Sequence, residues 1–574
     1  MAAPLKGVGV SPGVAVGPVA LMGGGVPEPP AAGPVGAGAA GAVEAGDAAA
    51  ATEAARAALA AVAAELEARG RAAGGDARDV LEAQAMMVRD PDLDERVAGL
   101  TAQGRSAARA VWEGFAVYRR ELAGAGEYMA ARVADLDDLR ARTVARLLGV
   151  PVPGVPDPGH PFVLVARDLA PADTATLDPA NVLGFITEEG GPTSHTAILA
   201  KSLGVPAVAG CAGATDLADG APVIVDGGTG VVRVDPTEAE VDAARRRVQA
   251  RRAARGGRSG PGATADGQPV GLLANIGGPA DVKAALAAGA EGVGLFRTEF
   301  LFLDRADPPS VEEQREAYEA VFAAFQRGGA GKVGKVVVRT LDAGADKPLA
   351  FLNLRDEPNP ALGQRGLRAV RRAPEVLADQ LEAIGRAAAA TRADVWVMAP
   401  MVAGAAEAAW FCAQARRQPV GRAGVMIEIP AAALQARAVL AEADFASIGT
   451  NDLSQYTFAA DRLVSELASF QDPWQPALLG LVARVGEAGH DTGKPVGVCG
   501  EAAGDPLLAL VLVGLGVTSL SMAPGSLADV RLLLARHGMD HCRRLAGLAL
   551  GAADAETGRA RAREAATGVD ELGL

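Results

Sequence analysis

The run Gly292-Val-Gly-Leu-Phe-Arg-Thr-Glu299 joins a short apolar segment to a charged end, and repeats of this unit decide the fold of the second half of the chain. A short apolar run bounded by glycine is typical of a buried strand. Further runs of this kind, each followed by a helical pattern, occur at residues 271–275, 335–339, 395–398, 425–427, 445–448, 496–498 and 517–520. Eight strands that alternate with helices predict a (β/α)8 barrel, and such barrels carry their active sites at the carboxyl ends of the strands.

The first half of the chain has a different pattern. Residues 1–22 and 149–236 contain valine-rich runs separated by glycine, which predict the strands of one small α/β domain. Residues 23–148 are mostly helical in pattern and predict a helical bundle inserted between those strands. Residues 237–261 form a strongly charged helix and a glycine-rich hinge, which precede the barrel domain at 262–574. We therefore expect an α/β multidomain protein.

Composition excludes several classes of function. The 574 residues include 55 Lys and Arg against 69 Asp and Glu, a net charge of −14, which argues against nucleic acid or an anionic membrane as the main partner. Four widely spaced cysteines, with no CxxC pair, argue against a disulfide framework or a zinc site and indicate a reducing, cytoplasmic location. The uncharged run at 506–527 is interrupted by glycine and predicts a helix followed by a strand rather than a membrane span.

A histidine in the α/β domain stands where a helix is predicted to begin. The run Gly190-Gly-Pro-Thr-Ser-His-Thr-Ala197 follows a predicted strand, and Thr193 or Ser194 can cap the helix that starts near His195. The amino end of a helix binds anions and disfavours a protonated imidazole, so the ring would be a neutral nucleophile. This is what a phosphohistidine carrier requires. The residues alone are also compatible with a histidine in the capping region that has no chemical function.

A second group of polar residues follows the barrel strands. Arginine binds phosphate and carboxylate through two parallel hydrogen bonds, and two carboxylates together with substrate oxygens suit Mg²⁺. The members are Arg297, Arg339, Arg365, Glu428, Asp452, Arg462 and Cys499. Any one arginine could be a surface ion pair, but a set at successive strand ends predicts a site for a small dianion.

Three motifs and the order of the domains resemble the enzyme I family of the bacterial phosphoenolpyruvate (PEP):sugar phosphotransferase system. The motifs are GLFRTEFLFLD at 294–304, GTNDLSQYTFAAD at 449–461 and VCGEAAGD at 498–505, and the histidine segment matches as well. The resemblance implies a swivelling phosphohistidine domain with an inserted helical domain, and a PEP-binding barrel. It also implies transfer of the phosphoryl group from PEP to His195 and then to the phosphocarrier protein HPr. A cytoplasmic homodimer joined through the barrels is expected.

The resemblance assigns roles residue by residue. Thr174 would orient the ring of His195, and Cys499 would be the general acid that protonates the enolate. The PEP-binding set would be Arg297, Arg339, Asn451, Asp452 and Arg462, supported by Arg365 and Lys347, with Glu428 and Asp452 as Mg²⁺ ligands. Two positions depart from the family pattern, because Pro192 and Lys201 stand where an arginine is frequent.

Two other functions compete with this interpretation. PEP synthases and pyruvate phosphate dikinases share the histidine domain and the barrel, but they need an ATP-grasp domain ahead of the histidine. Here only about 190 residues precede His195, and they lack a glycine-rich phosphate loop. The other alternative is a non-catalytic PEP sensor that has kept the fold, and the presence of every expected site residue argues against it.

Overall fold

The computed structural model describes residues 4–22, 26–30, 48–73, 84–123, 133–150, 154–156, 158–169, 177, 181–191, 194–256, 260–303, 305–326, 334–344, 349–352, 357–461, 465–569 and 573. No helix within these ranges combines the length and the apolar character that crossing a bilayer would require.

The first unit is an eight-stranded mixed sheet. Its strands are β1 (Leu5–Lys6), β2 (Val8–Ser11), β3 (Val14–Leu21), β4 (Phe162–Ala166), β5 (Val182–Thr187), β6 (Ala207–Ala209), β7 (Pro222–Asp226) and β8 (Val231–Val234). Their order across the sheet is β1-β8-β7-β3-β4-β5-β6-β2. Strand β3 pairs in parallel with β4 and antiparallel with β7. The amino-terminal strands therefore join those beyond residue 160 in one sheet, as predicted.

A helical unit lies between β3 and β4 in the chain, which confirms the predicted insertion. Besides a short helical stretch at 84–88, its described helices are α1 (Ala48–Ala73), α2 (Pro91–Ala102), α3 (Ala107–Ala123) and α4 (Val133–Leu148). Asp90 caps α2 by accepting a hydrogen bond from the backbone N–H of Asp92. The four helices share an apolar core that includes Val62, Leu93 and Phe115.

Two further helices belong to the part of the chain between β5 and the barrel. Helix α5 (His195–Leu203) lies between β5 and β6, and helix α6 (Glu238–Gly256) follows β8. Ser194 caps α5, because its hydroxyl accepts a hydrogen bond from the N–H of Ala197 at 3.3 Å. This selects Ser194 from the two caps that the sequence allowed.

The second half of the chain is a closed barrel of eight parallel strands, as predicted. The strands are β9 (Gly271–Ile276), β10 (Gly292–Phe296), β11 (Lys335–Arg339), β12 (Asp394–Ala399), β13 (Arg422–Ile427), β14 (Ala446–Ile448), β15 (Val496–Val498) and β16 (Ser519–Met522). Each strand pairs in parallel with the next, and β16 closes the barrel against β9. The last strand begins two residues later than the apolar run at 517–520 predicts.

Helices surround the barrel. They are α7 (Val282–Ala287), α8 (Val311–Phe325), α9 (Leu367–Val370), α10 (Pro374–Ala390), α11 (Ala405–Ala415), α12 (Pro430–Leu434), α13 (Ala436–Glu442), α14 (Thr450–Phe458), α15 (Pro476–Thr492), α16 (Pro506–Gly514), α17 (Leu527–Leu534), α18 (Met539–Leu550) and α19 (Ala555–Ala565). The uncharged run at 506–527 forms α16 and β16, which confirms the prediction of a helix followed by a strand.

The barrel strands divide their side chains between two apolar cores. On β11, Val336 and Val338 belong to the large core between the barrel and its helices, whereas Val337 belongs to a separate inner cluster. Successive side chains of a strand point to opposite faces, so the inner cluster fills the barrel interior. Trp396 and Cys499 are also members of this cluster. Cys499 therefore lies where the apolar interior meets the polar strand ends.

Candidate active site

Arg339 is the last residue of strand β11, and two carboxylates pair with it. Its Nη2 donates to Glu299 Oε1 at 2.9 Å, and its Nη1 lies 3.1 Å from Asp342 Oδ2. Burial opposes the charge of Arg339, but the carboxylates of Glu299 and Asp342 outweigh it and raise the pKa of the guanidinium. Its buried Nε has no hydrogen-bond partner among the described residues. One donor of a permanently charged group is thus available to an anion.

Arg365 is buried and bridges the carboxylates of Asp342 and Asp452. Its Nη1 donates to Asp452 Oδ1 at 2.9 Å, and its Nη2 donates to Asp342 Oδ2 at 3.2 Å. Asp342 therefore contacts both Arg339 and Arg365, which links the ends of β11 and β14. This network holds the Asp452 carboxylate in place through charge-assisted hydrogen bonds.

Glu428 and Asp452 bring two carboxylates close together. Glu428 follows β13 and is buried, and its Oε1 accepts a hydrogen bond from the N–H of Met401 at 2.7 Å. Burial first, and then the charges of Asp452 and Asp342, raise the pKa of Glu428. A Cβ at Gly449 would lie 2.8 Å from Glu428 Oε2, so this glycine leaves room for the carboxylate.

A bound cation would relieve the repulsion between these carboxylates, and oxygen ligands are those that Mg²⁺ prefers. Within the described ranges, no group of three or more His, Cys, Asp and Glu side chains is arranged to hold a metal. Two protein carboxylates fit a hard cation that takes its remaining ligands from substrate and water.

Cys499 follows β15 and is a buried, neutral thiol. Burial raises its pKa to about 11, and its Sγ lies 3.6 Å from the carbonyl oxygen of Ile448. A thiol with this pKa keeps its proton at neutral pH, so it can serve as an acid but not as a thiolate nucleophile. Nearby, Asn451 Oδ1 accepts a hydrogen bond from the backbone N–H of Glu501 at 3.1 Å.

The structure brings together most of the predicted barrel residues. Arg297 follows β10 with an exposed side chain, and Arg339 is the last residue of β11. Glu428, Asn451 and Cys499 follow β13, β14 and β15. Lys347, Arg462 and Thr174 lie outside the described residues, as does the side chain of His195. The backbone of His195 forms the first residue of α5.

Sequence reasoning gave no role to Glu299 and Asp342, although both stand in the strand-end runs that carry Arg297 and Arg339. Gln380 was missed entirely, and it donates from Nε2 to Thr298 Oγ1 while its Oε1 accepts from the N–H of Leu341. Glu299 and Asp342 could have been found from the sequence, because each is a carboxylate within a few residues of a strand-end arginine. Gln380 stands inside helix α10, where nothing in the local pattern marks it.

Helix α5 is docked on the barrel. Lys201 Nζ lies 2.9 Å from Glu501 Oε2, and a Cβ at Gly525 would lie 2.7 Å from the carbonyl oxygen of Lys201. The carboxyl end of α5 therefore contacts the end of the barrel at which the strand-end residues lie.

Three family models match the chain in the order of these units. The model of the PEP-utilising enzyme PEP-binding domain matches residues 252–539, that of the mobile domain matches 158–230, and that of the N-terminal domain matches 6–132. The chain belongs to the PEP-utilising enzyme family. In this PEP-utilising enzyme the PEP-binding match spans every strand of the barrel, and the mobile-domain match contains His195.

Relatives of this PEP-utilising enzyme match over most of their length. The chain is 57% identical over 567 residues to the phosphoenolpyruvate-protein phosphotransferase of Streptomyces coelicolor, which covers 98% of this chain and 99% of the relative. It is 38% identical over 484 residues to the protein of the same name from Bacillus subtilis, covering 81% and 83%. It is 39% identical over 499 residues to that of Haloferax volcanii, covering 84% and 86%.

Proposed function

We propose that this chain is a phosphoenolpyruvate–protein phosphotransferase. It transfers the phosphoryl group of PEP to His195 and then to a histidine of the phosphocarrier HPr, and it releases pyruvate. The observation that carries the proposal is the strand-end cluster of Arg339, Arg365, Glu428, Asp452 and Cys499 in a barrel that matches the PEP-binding domain. The 57% identity to a phosphotransferase of that name supports it over nearly the whole chain.

Arg297 and Arg339 would hold the phosphate of PEP. The unpartnered Nε of Arg339 supports this role, because a phosphate oxygen would satisfy a buried donor. Asn451 and Asp452 stand just after β14 and, with Arg462, would complete the binding of PEP. Arg365 would act by fixing Asp452, and Lys347 would add a further positive charge.

Glu428 and Asp452 would hold Mg²⁺, because they are the adjacent carboxylates whose mutual repulsion a divalent ion removes. When bound, the ion supplies positive charge that offsets the negative charge of the phosphate and enolate oxygens. Both carboxylates must be deprotonated to act as ligands, so the raised pKa of Glu428 opposes metal binding at low pH.

Phosphoryl transfer would form a bond between an imidazole nitrogen of His195 and phosphorus, and break the bond from phosphorus to the bridging oxygen of PEP. The helix amino end capped by Ser194 favours the neutral imidazole that this attack needs. Thr174 would orient the ring. The arginines position the phosphate and offset the charge that leaves with the enolate oxygen.

Cys499 would then donate its proton to the methylene carbon of the enolate, which gives pyruvate and a thiolate that regains a proton from solvent. The pKa of about 11 supports this role, because the thiol carries its proton at neutral pH. Cys499 is buried beside Ile448, a position that would keep bulk water from competing for the carbon.

We further propose that HPr docks on the inserted helical unit, that the enzyme is a cytoplasmic homodimer joined through the barrels, and that it serves the first step of sugar uptake. The proposal also includes the domain boundaries. They are 1–22 with 149–236 for the α/β domain, 23–148 for the helical insertion, 237–261 for the linker and 262–574 for the barrel. The helix bounds around the insertion support them.

The test is incubation of the chain with Mg²⁺ and PEP labelled in the phosphoryl group, with and without HPr. We expect acid-labile label on the wild-type chain, none on His195→Ala, and transfer of the label to HPr on its addition. The matched control is His490→Ala, at the carboxyl end of α15. Label that persists in His195→Ala, or a wild-type chain that takes up none, would contradict the proposal.

A further inference from the structure

One ion pair joins the helix that begins at His195 to the end of the barrel that carries the candidate site. Lys201 stands in the last turn of α5, and its Nζ lies 2.9 Å from Oε2 of Glu501. Glu501 follows β15 two residues after Cys499. Both side chains are partly buried, with 18% of the lysine and 33% of the glutamate exposed. The pair therefore forms where the two domains exclude part of the solvent.

The backbone around this pair is packed closely. Helix α5 ends at Gly204, which is in the left-handed conformation with φ of 66°. A Cβ at Gly525, in the loop after β16, would lie 2.7 Å from the carbonyl oxygen of Lys201 and 3.1 Å from the N of Gly204. The end of α5 thus rests on the barrel with no side chain between the two backbones.

The packing between α5 and the barrel is interrupted beside the ion pair. A cavity of about 100 Å³ lies beside it, lined by Lys201, Glu501 and Asn451 together with Gly9 and Gly227 from the first sheet. Its wall also includes apolar side chains such as Val10, Trp474 and Leu478, but they leave the space beside the ion pair open. The orientation of α5 here depends on directional contacts such as the ion pair.

Glu501 also connects the pair to the candidate PEP site. The Lys201 ammonium, against the effect of burial, lowers the pKa of Glu501, so the carboxylate is charged at neutral pH. The backbone N–H of the same residue donates to Asn451 Oδ1 at 3.1 Å. A displacement of α5 at Lys201 would therefore move Glu501, which is hydrogen-bonded to Asn451 of the candidate substrate site.

We propose that Lys201 and Glu501 are positioning residues that set the placement of α5 on the barrel, and so present His195 to PEP during the first half-reaction only. His195 lies six residues before Lys201 on the same helix, roughly 9 Å along its axis. The inference rests on the proposed function. Because the proposed function places HPr on the inserted helical unit, we expect the exchange of phosphate with HPr to be independent of the pair.

The experiment compares the two half-reactions in Lys201→Glu, Glu501→Lys and the double variant that carries both. PEP-dependent phosphorylation and phosphorylation by phospho-HPr are each followed in a single turnover of the full chain. We expect each single variant to be slower with PEP by about tenfold or more, as loss of a charged hydrogen bond implies. With phospho-HPr we expect a change of less than about twofold, and the double variant should recover most of the rate with PEP.

The matched control is Arg437→Glu, which breaks a surface pair with Asp491 between the outer helices α13 and α15 and should leave both rates unchanged. Equal losses in both half-reactions, no loss in either, or a double variant that fails to recover would each overturn the inference. In all three cases a wild-type chain labelled by PEP leaves the proposed function standing. A wild-type chain that PEP does not label would overturn both.

Discussion

Arg251 of helix α6 forms a buried ion pair with Asp529 of helix α17. Its Nε lies 3.2 Å from Asp529 Oδ1, its Nη2 contacts Oδ2, and its Nη1 donates to the carbonyl oxygen of Pro12 at 3.0 Å. One guanidinium thus holds the linker helix, the amino-terminal sheet and the barrel together. Gly13 allows the approach, because it has a φ of 130° and a Cβ there would lie 1.8 Å from Nη1.

The first prediction concerns this pair. Asp529 is 2% exposed, so Asp529→Asn leaves the Arg251 charge buried without its partner. Loss of one member of a buried pair destabilises by about 3–5 kcal/mol. We expect calorimetry of Asp529→Asn to show a lower temperature for the first unfolding transition. The amino-terminal domains and the barrel should then unfold in separate transitions. Arg437→Ala, at a pair whose arginine is 74% exposed, should lower the transition little. An unchanged thermogram for Asp529→Asn would show that the pair does not couple the halves.

The second prediction separates phosphoryl transfer from protonation. Cys499→Ala should keep measurable phosphorylation of His195 but form pyruvate slowly, because the acid at the enolate carbon is gone. Rapid-quench measurement of phosphoenzyme and pyruvate in one turnover tests this. Since the pKa of Cys499 is about 11, wild-type pyruvate formation should show no limb from this thiol between about pH 6 and 9. Cys412→Ala, also a buried barrel thiol, is the control. Pyruvate formation at the wild-type rate in Cys499→Ala would remove this residue from the mechanism.

The third prediction concerns protons released on metal binding. Burial and the neighbouring carboxylates raise the pKa of Glu428, so part of its population is protonated at neutral pH and must lose that proton to bind Mg²⁺. Apparent Mg²⁺ affinity should therefore increase as pH rises. Titration calorimetry in buffers of different ionisation enthalpy should detect the released proton. Glu428→Gln should abolish both effects and slow transfer on the order of 100-fold, whereas Glu487→Gln on α15 should not. Binding heat that is the same in every buffer would argue against Glu428 as a ligand.

The fourth prediction tests the space around Glu428. A Cβ at Gly449 would lie 2.8 Å from Glu428 Oε2, so Gly449→Ala should displace this carboxylate and raise the Mg²⁺ concentration needed for half-maximal rate by about tenfold or more. Gly480→Ala is the matched control, because nothing lies within 4 Å of its added Cβ. Equal Mg²⁺ dependence in the two variants would contradict the assigned position of the carboxylate.

Much of the fold could be predicted because its signals are local. The alternation of apolar runs with helical patterns predicted the barrel, and the parallel register from β9 to β16 confirms it. The helix that begins near His195, with a cap at Thr193 or Ser194, followed from a short run of residues, and the structure selected Ser194. Strand ends could be located only to within about two residues, as β16 shows.

The sequence by itself determined which chemistry is available: a histidine at a helix start, and arginines, carboxylates and a thiol at successive strand ends. Only the tertiary structure decided how these groups pair. Asp342 lies between Arg339 and Arg365, and Lys201 reaches Glu501 across 300 positions of the chain. Burial, which gives Cys499 a pKa of about 11, likewise depends on the closed barrel. The physical reason is that propensity and periodicity act between near neighbours, whereas ion pairing and desolvation depend on which distant segments meet when the barrel closes and the domains dock.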